Sequence, residues 1–280
     1  MEYIFKSRHD EAHTLIDGFL ERHKVRHGLY QGDLYGFLGA DFVPGQMKTI
    51  KALRAILLDE QGGRCCYCMR RIAGLVPEER SLEHVIVNHP KGEDDYSQYL
   101  GKCQQLDAAE MISSAEFLTN QTTPPPYPHS VAYENMLMSC AGRCHLGVGT
   151  SFTCNNYRGH KFVYPLPLMS DGASEVKYLK NGFVYWIKET DTENPTVELL
   201  GLNYDVLKLI RRIWYKLSSM GLDAADCDRQ LVVYEVLGDM LDEGTEDAGV
   251  QSLFLFANND WYWSLLCQYD YFNDASKFEQ

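Results

Sequence analysis

The stretch "GGRCCYCMRR", residues 62–71, places three sulfurs within four positions. Cys65 and Cys68 have the C-x-x-C spacing from which a tetrahedral Zn²⁺ commonly draws two of its four ligands. A second bunch lies downstream as Cys140, Cys144 and Cys154. Cys140 and Cys154 are the expected remaining ligands, with Cys144 and the adjacent His145 at similar reach. Cys66, Cys103, Cys227 and Cys267 read as packing residues. Nine cysteines is an odd number, they are bunched, and no signal-peptide pattern opens the sequence. Metal ligation in a reducing cytoplasm is expected rather than a disulfide framework.

Between the two bunches, "RSLEHVIVNHP" sets a carboxylate, Glu83, directly before an imidazole, His84. "YENMLMSC" and "CNNYRGHK" follow, adding Asn135, Asn155, Arg158 and Lys161. Taken singly, His84 is a hydrogen-bonded strand residue, Asn135 a cap before "MLM" and Arg158 a solvated charge. In this order, and bracketed by cysteines, they resemble the HNH (ββα-metal) nucleases, and within them the PtuB-type nuclease subunits of Septu and retron-linked antiphage systems. The resemblance runs from about Ala52 to Lys216 and takes in "ELLGLNYDVLKLIRR".

The resemblance implies an α+β fold: a zinc-stapled ββα-metal (HNH) nuclease core flanked by mainly helical N- and C-terminal regions. It makes His84 the general base, because an imidazole accepts a proton from water near neutral pH. Glu83 and Asn155 would hold one catalytic divalent cation, Mg²⁺ or Mn²⁺, apart from the structural zinc. Asn135 would tie the loop that carries His84, and Arg158 with Lys161 would contact flanking phosphates. The implied activity is metal-dependent hydrolysis of phosphodiester bonds in phage DNA, inside a complex with a PtuA-like ABC-type ATPase. An RNA (tRNA) substrate keeps the same residues, and a non-enzymatic zinc-stapled binding module is the third reading. The sequence departs from the pattern in a long gap between His84 and Asn135, in an amide at Asn155 where relatives often carry Asp, and in the "CAGRCHLGVGTSFTC" insertion.

Positioning these groups requires particular elements. "HDEAHTLIDGFLERHK" and residues 46–61 have helical periodicity, the latter stopping at Gly62 and Gly63 and delivering the chain into the first cysteine pair. A short strand ends at His84, and the gap before Asn135 suggests an inserted helix or two. Asn181-Gly182 between β-prone runs marks a hairpin. A helix from a cap at Asn203 to Gly221 and another over roughly 223–243 follow. The expected organisation is a helical region over 1–61, the nuclease core over 62–165, and a hairpin with acidic helices over 166–280. The net charge of −13 is uneven, since the last third carries 20 acidic against 9 basic residues while the cysteine-bearing middle is close to neutral. A polyanion can therefore approach the middle, and a basic partner would suit the tail. No apolar run reaches the length of a membrane span.

Overall fold

The structure, a computed structural model, describes residues 1–23, 34–87, 98, 112–113, 127–145, 150–193, 195–244 and 247–279. Helix α1 (His9–Arg22) buries Ala12, Ile16 and Phe19, spaced so that they share one face. That face packs on α3 (Thr49–Glu60), which buries Ile50, Leu53, Ile56 and Leu57. Between them α2 (Leu34–Ala40) buries Leu34 and Leu38. The Glu60 carboxylate at the end of α3 accepts from the backbone N–H groups of Ser7 and Arg8, so an acid meets the positive end of α1. The chain leaves α3 through Gly62 and Gly63, both at positive φ. A Cβ at Gly63 would lie 2.7 Å from that of Ala73, so both backbone and space require glycine there.

The central sheet pairs β1 (Arg80–His84) with β4 (Met136–Cys140) antiparallel, with Arg80 opposite Cys140 and His84 opposite Met136. Every residue of β4 is buried. A short helix, α4 (Cys154–Arg158), packs on this strand. Around the pair lie a parallel contact between β2 (Ile112–Ser113) and β3 (Tyr127–Pro128), and an antiparallel ribbon of β5 (Arg143–His145) with β6 (Thr150–Phe152). The expected inserted helices between His84 and Asn135 fall on residues that lie, apart from 85–87, 98, 112–113 and 127–134, outside the described ones.

After the short helix α5 (Ser170–Ser174), β7 (Val176–Leu179) and β8 (Val184–Trp186) form the hairpin that Asn181-Gly182 signals, joined in parallel by β9 (Phe278–Glu279). Past a single turn, α6 (Thr196–Leu199), the long helix α7 (Asp205–Ser219) buries Val206, Leu209, Ile210, Ile213 and Leu217. Asn203 does not cap it. Its amide pairs with both backbone groups of Val184, at 2.8 and 2.9 Å, so it borders the hairpin as a strand would. Helices α8 (Arg229–Asp242), α9 (Asp247–Asn258) and α10 (Asp260–Cys267) complete the C-terminal layer. Asp228 caps α8 by accepting from Gln230 and Leu231 N–H groups. One buried apolar cluster runs from Ile16 and Leu53 through Leu137 to Ile210 and Phe272. Among the described residues no helix is long and apolar enough to cross a membrane.

Candidate functional site

Four cysteines meet beneath the β1–β4 pair. Cys65 and Cys68 lie in a tight turn in which the Cys65 N–H donates to the Arg70 carbonyl at 2.8 Å and the Met69 N–H to the Cys65 carbonyl at 3.2 Å. Cys140 ends β4 and Cys154 opens α4. Their four sulfurs lie within 4.8 Å of one another, and all four residues are buried. Cys65 and Cys154 sulfurs are 3.8 Å apart, Cys68 and Cys140 sulfurs 3.7 Å. A tetrahedron with Zn–S bonds of ~2.3 Å has edges of about 3.8 Å, so the spacing suits this ion. The only non-glycine residues at positive φ among those described are Cys154, one of the four, and Met69, which directly follows Cys68. Such conformations cost roughly 1–3 kcal/mol each and persist where surroundings over-determine them. Burial pushes the Cys154 thiol well up, and its cysteine neighbours push it further. A dication that displaces those protons relieves the crowding. The four cysteines expected from spacing are thus the four that converge, and they could hold zinc. Of Cys144 and His145 only the backbone is described, on β5.

The ribbon of β5 and β6 leaves and rejoins this cluster through a neck. The Thr153 N–H donates to the Gly142 carbonyl at 2.9 Å, and a Cβ at Gly142 would sit 1.9 Å from the Thr153 carbonyl oxygen. Only glycine fits. Gln61, which the sequence did not single out, ties the first knuckle to β4: its amide donates to the Arg64 and Met138 carbonyls, each at 2.8 Å, and accepts from the Met138 N–H at 2.7 Å.

The remaining predicted residues divide between two sides of β1. His84 packs its ring edge-on against Tyr35 of α2, 4.8 Å between centroids, and Nε2 lies 3.1 Å from the Ser130 carbonyl. A carbonyl only accepts, so Nε2 carries the hydrogen and Nδ1 is the basic nitrogen of the neutral ring. Asn135, fully buried, spans the loop that follows His84. Its Oδ1 accepts from the Ile86 N–H at 2.7 Å, and Nδ2 donates to the Ile86 and His129 carbonyls at 2.9 and 2.7 Å. These bonds tie Ile86 to His129 across the loop.

Glu83 points the other way, as alternation along a strand demands. It is 1% exposed, as is Arg158, and the two form an ion pair. Tyr67, inside the C-x-x-C, donates to the same carboxylate oxygen at 2.9 Å. Burial holds the Tyr67 hydroxyl well above its ordinary pKa, which keeps it a donor. Arg158 also donates to the His84 and Val85 carbonyls at 2.9 and 2.6 Å and, through Nε, to the Lys161 carbonyl at 3.1 Å. This corrects the reading of Arg158 as a phosphate contact: the guanidinium is an interior clamp on the end of β1. Lys161 is exposed, its ammonium 4.4 Å from the centre of the Tyr157 ring. Asn155 donates to the Ser81 hydroxyl at 2.7 Å. Ser81 and Glu83 share a face of β1, so Asn155 and Glu83 border the same side, yet each is satisfied by a different partner. Glu83, His84 and Asn155 therefore do not converge on one point in this arrangement.

No family model matches the chain, and no curated protein is similar to it above chance.

Proposed function

We propose that the chain is a hydrolytic endonuclease of the HNH (ββα-metal) type that cleaves phage DNA as the effector subunit of an antiphage complex with a PtuA-like ABC-type ATPase. The observation that carries this reading is the Asn135 side chain bridging Ile86 and His129, which fixes the loop beside a histidine whose ring is oriented by a backbone carbonyl. A general base needs such an orienting contact on its second nitrogen. The cysteine cluster that joins the 65–68 knuckle, β4 and α4 supports the same reading.

In this mechanism Nδ1 of His84 takes a proton from water as the oxygen attacks phosphorus. The bond from phosphorus to the 3′ oxygen breaks, and that oxygen takes a proton from solvent, leaving a 5′-phosphate and a 3′-hydroxyl. Asn135 holds the ring in place, and Lys161 offers an exposed charge to a flanking phosphate. A bound Mg²⁺ or Mn²⁺ would neutralise charge on the leaving oxygen. Glu83 and Asn155 as placed do not fit a shared cation, because Arg158 already neutralises the carboxylate, so a cation there requires Glu83 to exchange its partner. No step above is routed through it.

The partner is supported by the outer face of α8, where Leu231, Tyr234 and Leu241 are 48%, 60% and 61% exposed on an acidic part of the chain. The test is His84→Ala in the assembled complex, incubated with phage DNA and, separately, with tRNA. Loss of DNA cleavage by 100-fold or more with the complex intact is the expected result. Consumption of tRNA alone moves the substrate to RNA. Undiminished cleavage of both polymers by the variant removes the reading, and no cleavage by the unmodified complex, with Leu231→Glu abolishing assembly, favours the binding module.

A further inference from the structure

A second cluster of metal-ligating groups lies away from the cysteines, on residues to which the sequence motifs assign no role. His9 and His13 are four positions apart on α1, so their rings stand one above the other on one face. Both turn toward Glu134, which belongs to the single turn Tyr133–Asn135 before β4. His9 Nδ1 lies 3.1 Å and His13 Nε2 2.7 Å from the same oxygen, Glu134 Oε1. The three ligand atoms fall within 4.8 Å of one another.

The rings are held in place as well as aimed. His13 lies against the Tyr127 ring at 4.4 Å between centroids, and His9 meets Tyr133 edge-on at 5.5 Å. Glu134 is 2% exposed, and its second oxygen, Oε2, is buried with no hydrogen-bond partner. If the cluster existed only to join α1 to the 133–135 turn by hydrogen bonds, that oxygen would remain an uncompensated buried acceptor, which is unfavourable. A cation ligated by both oxygens of the Glu134 carboxylate, together with the two rings, would give Oε2 the partner it lacks. His9, with its side chain 40% exposed, leaves the cluster open toward solvent on one side.

Two imidazoles and one carboxylate with an open side form the donor set of three-ligand zinc sites, in which water completes the coordination. We propose that His9, His13 and Glu134 bind a borderline first-row dication, zinc foremost, as a site separate from the four cysteines. The cation joins α1 to the turn that carries Asn135, so occupancy stiffens the support of the loop beside His84. The proposal stands on geometry alone and does not depend on the nuclease reading.

The test is a metal titration of the full-length, tag-free chain after stripping, followed by mass-spectrometric metal counting. Two equivalents of zinc are expected. With Co²⁺, one equivalent should give the intense thiolate-to-metal charge-transfer absorption of the cysteine cluster, and the other only weak d–d bands. His9→Ala/His13→Ala should hold one equivalent and keep the charge-transfer absorption, which doubles as evidence that the variant folds. Glu134→Gln, which keeps the shape and one acceptor, should weaken the second site at least tenfold. Saturation of the unmodified chain at one equivalent overturns the proposal without recourse to any variant. So does a folded double variant that still binds two.

Discussion

Arg158 touches a carboxylate, a tyrosine and three backbone carbonyls, yet almost none of it reaches water. A buried pair of this kind contributes little net stability when complete, but removing one partner strands the other charge. Arg158→Met is therefore expected to destabilise the protein by about 3–5 kcal/mol in urea unfolding, and adding Glu83→Gln should recover a large part of that loss. Equal losses in single and double variants would show that the pair is uncoupled. Lys6 is a second buried charge. Its ammonium donates to the Met136 carbonyl at 2.6 Å, and burial brings its pKa down to about 7 from 10.5, against the opposing pull of Glu60 and Glu134. Between those two values the unfolded chain holds the proton and the folded chain does not, so stability rises with pH across the window. Below about 7 the full cost of the buried charge remains. Lys6→Met should therefore melt above the parent protein near pH 6, with the gap closing as the pH approaches 10. A constant gap across that range would contradict the assignment.

At the scale of elements, the cysteine cluster joins three pieces that are far apart in the chain: the 65–68 knuckle, the end of β4 and the first turn of α4. Structural zinc sites supply about 10–16 kcal/mol in small peptides, as much as the whole stability of an ordinary domain at ~5–15 kcal/mol. Chelation is expected to lower the unfolding midpoint by more than ten degrees, with zinc restoring it. Acid should act in the same direction, because protons compete with the metal for thiolate sulfur. The elements themselves were largely legible. α1, α3 and α7 carry apolar residues at a 3.6-residue period, and Asn181-Gly182 marks the hairpin by its turn chemistry. The cysteine quartet was legible because the C-x-x-C knuckle and two later cysteines leave few ways to complete a tetrahedron. Arg158 was not, since a cation in "CNNYRGHK" gives no sign of which side of a strand will receive it. Asn203 was misread for a similar reason: an asparagine before a helix serves equally to pair with a neighbouring strand. Glu134 lies 125 positions from His9, a relation that no local pattern contains.

Across the whole molecule, the acidic C-terminal third is not simply a repulsive appendage. Asp270 pairs with Arg64 and Arg71, the basic residues that flank the first knuckle. Gln268 accepts from the Arg70 side chain and, through its carbonyl, from the Arg71 N–H, each at 2.6 Å. These contacts commit the knuckle's cations to the chain's own tail, and under the proposed function nucleic acid approaching the β1–β4 pair would rely on other charges, such as Lys161. The neck formed by Gly142 and Thr153 has a different consequence for the same region. Because Gly142 and Thr153 are hydrogen-bonded at the base of the β5–β6 ribbon, the length of chain between them need not be felt by the sulfurs beneath it. Closing a flexible loop changes by only about 0.6 kcal/mol per doubling of its length. Exchanging residues 143–152 for a short glycine-serine bridge, or for an unrelated peptide, should leave zinc content unchanged and the melting point within a few degrees. A site so tolerant would let related chains acquire new surface features without rebuilding their interior.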